Sequence, residues 1–172
     1  FDTAGVPVVL ANSTQCFGDT TMGSCTGADG HDVVYMFNLP TRKRVTATLD
    51  GPGFDSGVFL TQNCSDGKST YCSDSADVGG IEKLDTFVET GNWFLVVDSA
   101  LEKQYGDYTV FLEFQTPVAN GQGCDEDLDC DSGHCQNGFC CESGDCCQTA
   151  NDCPAAYIAS ATCGVSSECQ GH

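Results

Sequence analysis

The stretch that decides the fold is residues 91–114, GNWFLVVDSALEKQYGDYTVFLEF. Its first half has apolar side chains at alternate positions, Trp93, Leu95 and Val97. Its second half repeats this pattern at Tyr108, Val110, Leu112 and Phe114. Period-two alternation is typical of half-buried antiparallel strands, because successive side chains of a strand point to opposite faces. The stretch therefore predicts a pair of strands on which the rest of the N-terminal part packs.

Five shorter upstream stretches also have the composition of strands, and turns rich in Gly, Pro and Asp separate them. They are residues 6–10, 32–39, 45–49, 57–61 and 84–88. Pro7 limits the first of them to a sheet edge, since proline lacks the N–H that a central strand must donate. No helical period is apparent before residue 119. The N-terminal part therefore predicts an all-β fold, an antiparallel β-sandwich.

The composition of the chain changes near residue 118. A linker rich in small and turn-forming residues covers 115–123, and ten of the fourteen cysteines follow it. Apolar residues are too sparse in 119–172 for a hydrophobic core, so disulfides must hold that part together. We expect a sandwich over 1–118 and, over 119–172, a small disulfide-rich module with little regular secondary structure.

Fourteen cysteines in 172 residues indicate an oxidising compartment, since a reducing cytosol would keep the thiols free. The sequence contains no C-x-x-C and its three histidines are far apart, so zinc binding is a poor alternative. We expect all fourteen to be disulfide-bonded: Cys16, Cys25, Cys64, Cys72, Cys124, Cys130, Cys135, Cys140, Cys141, Cys146, Cys147, Cys153, Cys163 and Cys169. With no signal peptide in the sequence, we interpret the chain as a mature secreted or cell-surface protein.

The four cysteines of the sandwich part allow three pairings. Cys16 and Cys25 flank one loop, and Cys64 and Cys72 flank another. We expect each of these pairs to close its own loop, which stabilises the fold by about 2–3 kcal/mol per loop in the chain-entropy model.

The cysteine-rich part contains a weak internal repeat. The segments 124–130, CDEDLDC, and 147–153, CQTANDC, share one spacing, and two further cysteines follow each of them. Cys141 and Cys146 lie between the copies and are candidates to pair with each other. The remaining connectivity stays open at this point.

The net charge of −19 is unevenly distributed. All six basic residues lie in 1–118, whereas 119–172 contains acidic residues and no Lys or Arg. Nucleic acid and anionic membrane surfaces are poor partners for such a chain, and divalent cations or basic surfaces are better ones. We expect no nucleic-acid partner and no membrane insertion.

Several segments resemble the bacterial pre-peptidase C-terminal domain, in the cysteine-bearing type of myxobacteria. They are GHDVVYMFNLP, VTATLDG, FDSGVFL, TGNWFLVVDS and GDYTVFLEF, within about residues 30–114. The resemblance implies a jelly-roll-like sandwich without catalytic residues, a satellite of secreted enzymes or surface proteins. It also implies that calcium or collagen is a possible ligand, because some members bind one or the other. The part after the linker resembles the small cysteine-rich tails of myxobacterial surface proteins.

Sequence motifs for catalysis are missing. The chain has no G-x-S-x-G, no H-E-x-x-H and no Walker loop. His31 adjoins Asp32, a pair that chance supplies easily, and cysteines engaged in disulfides provide no thiolate nucleophile. We therefore expect a protein that is not an enzyme, with no cofactor unless it binds calcium.

Two groups of acidic residues are candidate calcium ligands, because calcium takes carboxylate oxygens. The first consists of Asp125, Asp127, Asp129 and Asp131. Its spacing matches the first half of an EF-hand loop, but Cys130 stands where that loop needs glycine; a solvated acidic turn is the alternative. The second consists of Asp74, Asp77 and Asp98, in loops expected to meet at one end of the sandwich.

Two asparagines begin a glycosylation triplet, Asn12 and Asn63, and Asn12 lies in the more polar stretch. We therefore expect Asn12 to be the more accessible of the two. A bacterial source, which the resemblance implies, would leave both without a standard N-glycan.

Two functions fit these features. The first is a structural or adhesive protein of the cell surface, and its most specific form is a subunit of a self-assembling extracellular fibre. The second is a calcium-dependent module that binds a matrix polymer or carbohydrate. An exposed aromatic face would favour the second, with Tyr35, Phe37, Phe59, Phe94 and Phe111 as candidates.

Self-association has a candidate mechanism in two segments. In a head-to-tail fibre, the basic turn of one subunit would dock on the acidic module of the next, and an apolar arm would add as an edge strand. The residues are Arg42, Lys43 and Arg44 for the turn, and Val6, Val8, Val9 and Leu10 for the arm. The alternative is a solvated turn and an ordinary first strand.

Overall fold

The structure is a computed structural model. It describes residues 7–19, 21, 23–26, 30–64, 68–143, 145–153, 162–164 and 167–170. It divides into two compact units, Phe1–Gln115 and Thr116–His172, and this boundary falls in the predicted linker. Val6 of the predicted arm lies outside the described residues.

The first unit is a sandwich of two four-stranded antiparallel sheets. Its strands are β1 Val8–Ser13, β2 Val33–Leu39, β3 Lys43–Asp50, β4 Ser56–Thr61, β5 Tyr71–Ser73, β6 Ile81–Val88, β7 Gly91–Ser99 and β8 Asp107–Gln115. Sheet one has the order β1-β8-β3-β6, and sheet two has the order β2-β7-β4-β5. The all-β sandwich predicted from the alternation is confirmed.

The two strands of the 91–114 stretch do not pair with each other. β7 lies between β2 and β4 in sheet two, and β8 lies between β1 and β3 in sheet one. Their apolar faces meet across the core, where Trp93 and Leu95 of β7 and Val110 and Leu112 of β8 are buried. The alternation identifies an inward face for each strand, but it does not say in which sheet the strand lies.

The outer face of sheet two is partly covered by the described residues of the segment 14–32, which are 14–19, 21, 23–26 and 30–32 and which we call the covering loop. Phe59 and Val96 point away from the sandwich core and are nevertheless fully buried. The backbone of the loop lies against the Phe59 ring, since a Cβ built on Gly23 would be 2.7 Å from it. The disulfide between Cys25 and Cys72 ties the loop to the outer face of β5.

This disulfide contradicts the predicted local pairing in the sandwich. Cys25 bonds to Cys72, 47 residues away, and not to Cys16. Cys16 and Cys64 are not among the six disulfides that join described residues, and the expectation that all fourteen cysteines are bonded stays a prediction. The reason for the non-local pairing is tertiary, because the loop crosses the sheet and brings Cys25 over a strand that is remote in sequence.

The second unit contains two copies of one disulfide pattern. Cys124 bonds to Cys135 and Cys130 to Cys140, and in the same order Cys147 bonds to Cys163 and Cys153 to Cys169. Cys141 and Cys146 bond to each other between the copies. Each copy holds a 3₁₀ turn, Asp127–Asp129 or Ala150–Asp152. Each also has a two-residue hairpin, Cys135–Gln136 with Phe139–Cys140, and Thr162–Cys163 with Cys169–Gln170.

Candidate functional site

Asp98 is a buried carboxylate at the end of β7, on the face that the covering loop shields. The residue is 1% exposed. Its Oδ1 accepts the Ser99 N–H at 2.7 Å, and the Thr26 hydroxyl of the covering loop also donates to the carboxylate. Its Oδ2 is buried and has no hydrogen-bond partner among the residues that the structure describes. A buried carboxylate oxygen without a partner is costly, so this atom calls for a proton or a cation.

Two further carboxylates act on Asp98. Asp32, which precedes β2, is 2% exposed, and its Oδ2 accepts the Thr21 N–H of the covering loop. Asp19 lies on the exposed part of the same loop. The pKa of Asp98 is raised to about 7, and burial is the main cause. The charges of Asp32 and Asp19 also raise this pKa, whereas the hydrogen bonds from Thr26 and Ser99 lower it. We call Asp19, Asp32 and Asp98 the acidic pocket.

The fold brings this pocket together through the pairing of neighbouring strands. β2 and β7 are adjacent, with Val33 opposite Val97, so the residue before β2 and the end of β7 share one end of sheet two. Glycine at position 30 lets the loop approach, because a Cβ there would lie 2.9 Å from Asp98 Oδ1 and 2.3 Å from the Ser99 carbonyl oxygen. A cavity of about 260 Å³ opens beside Asp32, lined also by Phe17, Gly18 and Val34.

Hard cations fit this chemistry best. Calcium binds six to eight oxygen ligands and tolerates irregular geometry, and carboxylates are its usual protein ligands. Asp98 would supply a buried oxygen, and the charges of Asp32 and Asp19 would add electrostatic attraction for the cation. Protonation of Asp98 is the competing way to satisfy Oδ2, since burial favours the neutral acid.

A second acidic group lies at the ends of β4, β5 and β6. Glu82 is fully buried, but its carboxylate accepts the Ser73 hydroxyl at 2.7 Å and the Ala76 N–H at 2.6 Å. Burial raises the pKa of Asp74, and the charges of Asp55 and Glu82 raise it further. Glu82 is therefore satisfied by the turn after β5, and its role is structural.

The predicted grouping of Asp74, Asp77 and Asp98 comes together only in part. Asp74 and Asp98 both lie near Gly57, since Gly57 is opposite Asp98 and a Cβ on it would be 3.6 Å from the Asp74 Cβ. Asp77 is exposed in a turn. Sequence reasoning did not find Asp32 and Asp19 as partners of Asp98, because they are 66 or more residues away and only strand pairing joins them.

The acidic run of the second unit stabilises a turn. The Asp129 carboxylate accepts the N–H groups of Asp125 and Glu126 at 2.9 and 3.1 Å, and Asp127 accepts the Cys135 N–H at 2.8 Å. In the second copy Asp152 does the same for Gln148, at 3.0 Å. Calcium binding by Asp125, Asp127, Asp129 and Asp131 stays a prediction, and this geometry favours the solvated acidic turn.

The basic turn is engaged within its own sandwich. Arg44 is 8% exposed and donates to both oxygens of Asp85 at 2.8 Å, and this pairing is the main cause that lowers the Asp85 pKa to about 2. The Arg42 guanidinium covers the Phe87 ring at 3.8 Å and lies 3.2 Å from Glu89. The prediction of an exposed basic docking spot is therefore wrong for Arg44.

The predicted apolar arm is an ordinary edge strand. β1 pairs with β8 over six residues, from Val8 opposite Leu112 to Ser13 opposite Asp107. Val8 and Leu10 pack against the core, and Val9 is 58% exposed on the outer face. Val8 and Leu10 are thus already used within the chain.

The predicted aromatic residues fall on different surfaces. Phe37 and Phe59 are buried, and Tyr35 packs against the core with its hydroxyl 2.7 Å from that of Tyr108. Phe94 is half-buried on sheet two. Phe111 is 47% exposed on the outer face of sheet one and is the candidate that a ligand could reach.

Asn12 of the glycosylation triplet is exposed on β1. Thr14, the third residue of that triplet, is fully buried and its hydroxyl oxygen accepts the Gly106 N–H at 3.1 Å. His31 faces the Thr14 carbonyl oxygen at 3.3 Å and packs on the Tyr105 ring. Within the described part of the chain, no helix is long and apolar enough to cross a membrane.

No protein-family model matches the sequence, and no curated protein matches it. Solved structures with a similar fold include the pre-peptidase C-terminal domain of a collagenase from Bacillus anthracis, at 15% identity and a TM-score of 0.45 over 63% of this chain and 90% of that one. They also include PliG of Aeromonas hydrophila, a periplasmic inhibitor of g-type lysozyme, at 10% identity and a TM-score of 0.46 over 67% and 91%. A third is the CBM35 of Cellvibrio japonicus Abf62, at 15% identity and a TM-score of 0.37 over 64% and 99%. The family that the sequence resembles is thus among the structural neighbours, at scores that carry no argument about function.

Proposed function

We propose that this protein is a non-catalytic secreted binding module whose sandwich is stabilised by a calcium ion in the acidic pocket. The observation that carries the proposal is Oδ2 of Asp98, a buried carboxylate oxygen without a partner among the described residues. Six disulfides support the extracellular setting, because such bonds persist in oxidising compartments.

The electrostatics of the first unit favour a cation at this place. Asp98 and Asp32 are both buried, and the charge of Asp32 raises the cost of ionising Asp98. A divalent ion would reverse this effect, because it stabilises the charged form of every carboxylate that it contacts. Asp98 would contact the ion from the sheet, and the negative charges of Asp32 and Asp19 would attract it to this place.

The test is thermal and urea unfolding of the full chain in EDTA and in millimolar calcium. A ligand that binds the native state alone adds about 2.7 kcal/mol at a hundredfold excess over Kd. We expect this gain in the wild type and its loss in Asp98→Asn. Asp77→Asn is the matched control, since Asp77 is an exposed aspartate of the same unit.

Two results would contradict the calcium proposal. One is identical wild-type curves in EDTA and in calcium. The other is a gain that survives Asp98→Asn but disappears in Asp129→Asn, which would move the ion to the second unit.

A structural or fibre-forming role is the second candidate, and the free edge of sheet two favours it. Among the described strands, β2 pairs with β7 alone, and its outward side chains Val34 and Met36 are 37% and 62% exposed. An edge strand of this kind is a template for adding a strand from another copy.

The measurement for this second candidate is negative-stain imaging and light scattering of Met36→Lys. A charge on the edge strand should abolish assembled material, whereas Val78→Lys, at another exposed apolar site, should not. Assembly that persists unchanged in Met36→Lys would exclude the β2 edge as the contact.

A further inference from the structure

An exposed aromatic ring lies near the middle of the outer face of sheet one. Phe111 of β8 is opposite Val9 of β1 on one side and Thr48 of β3 on the other. All three point outward, since the inward neighbours of Phe111, Val110 and Leu112, lie in the core. Phe111 is 47% and Val9 58% exposed, so this row, which we call the Phe111 strip, is accessible on the outer face of sheet one.

A polar cavity adjoins this strip. The next outward row along the same strands is Ala11, Thr109 and Asp50, about 7 Å further along by strand geometry. That row lines a cavity of about 360 Å³, together with Asn12, Pro52, Asp107 and Tyr108. A ligand could therefore lie on the ring of Phe111 and reach into the cavity.

The lining of the cavity has one charge sign. Asp50 and Asp107 contribute carboxylates, Asn12 an amide and Thr109 a hydroxyl, and no basic side chain is among its described lining residues. Carboxylates form their strongest hydrogen bonds with cationic donors and repel anionic groups. The net charge of −19 adds long-range attraction for a cationic polymer.

We propose that this face binds a polysaccharide that carries ammonium groups, of the glucosamine type. The apolar C–H face of one sugar ring would pack on Phe111, and the ammonium and hydroxyl groups of the next would meet Asp50, Asp107 and Asn12. This combination of one aromatic contact with a few convergent polar groups is the usual composition of a small-ligand site. This inference rests on the proposed function, because it names the ligand that the proposed binding module would bind.

The experiment is calorimetric titration of the full chain with a glucosamine hexasaccharide at low and moderate salt. Phe111→Ala should weaken binding about tenfold, which corresponds to about 1.4 kcal/mol. Leu101→Ala is the matched control, an apolar residue of the loop between β7 and β8 that is as exposed as Phe111, and it should bind like the wild type. In the double variant Asp50→Asn, Asp107→Asn, the binding affinity should depend less on salt concentration than in the wild type. The fully N-acetylated hexasaccharide should bind the wild type at least about tenfold more weakly than the glucosamine hexasaccharide does.

Three results would overturn the inference. They are no binding by the wild type, equal affinities of Phe111→Ala and Leu101→Ala, or equal affinities for the glucosamine and N-acetylated hexasaccharides. Unfolding curves of each variant show whether it is folded. The calcium-dependent gain in stability is measured in a separate experiment. Its absence would contradict the calcium proposal and would not change the outcome of the sugar titration.

Discussion

Replacing Asp98 by asparagine should stabilise the calcium-free protein, and the gain should depend on pH. The substitution keeps the size of the side chain and removes the charge that burial opposes. Burial, together with Asp32 and Asp19, raises the pKa of Asp98 from 3.8 to about 7 in the folded state. In the unfolded chain the group has its ordinary pKa, so the folded state binds this proton more tightly.

The sign and size of the effect follow from this difference. A raised folded-state pKa contributes stability that is complete below about pH 4 and is lost as the pH rises to about 7. Each pH unit between the two pKa values corresponds to about 1.4 kcal/mol, so the ceiling for the wild-type loss is about 4 kcal/mol. Asparagine does not titrate, so the free energy of unfolding of Asp98→Asn should exceed that of the wild type by about 2 kcal/mol at pH 5 and about 4 kcal/mol at pH 8.

Urea unfolding in EDTA at pH 4, 5, 6, 7 and 8 measures this difference. Trp93 is the single tryptophan and lies in the core of the sandwich, so its fluorescence reports this unit without the disulfide-rich one. Asp77→Asn corrects for the loss of one negative charge from a strongly acidic chain. A difference between Asp98→Asn and Asp77→Asn that does not change with pH would refute the assignment of Asp98 as the buried, proton-binding carboxylate.

Three further predictions test the covering loop, the basic turn and the thiols. Gly30→Ala should cost about 1–3 kcal/mol of unfolding free energy, because its Cβ would clash with the Ser99 carbonyl oxygen; an unchanged urea midpoint would contradict the close approach. Arg44→Ala should cost about 2–3 kcal/mol, because half-buried Asp85 loses its two-bond partner and keeps only Lys83 and Thr46, whereas Arg42→Ala should cost about 1 kcal/mol; equal costs would contradict the pairing of Arg44 with Asp85. Maleimide should label Cys16 in the folded, unreduced protein, because this cysteine is exposed. Mass spectrometry should find the label on Cys16 in the wild type and no such label in Cys16→Ser. A wild-type protein without a label on Cys16 would contradict this pairing scheme.

The inward faces of the strands could be predicted from the sequence, because side-chain direction in a strand depends only on position along it. Trp93, Leu95, Val110 and Leu112 were assigned by alternation and are buried in the core. The repeat of the second unit is equally local. Its two 3₁₀ turns have the same length and the same capping aspartate, Asp129 or Asp152, since the cysteine spacing and the aspartate recur together.

The contacts between remote segments were decided by the tertiary structure. Alternation cannot show that β7 and β8 lie in opposite sheets, nor that the covering loop crosses sheet two and brings Cys25 to Cys72. The acidic pocket depends on the pairing of β2 with β7, which places Asp32 beside Asp98. These contacts join residues tens of positions apart, and the free energy that selects them comes from burying whole faces together, which no local pattern in the sequence contains.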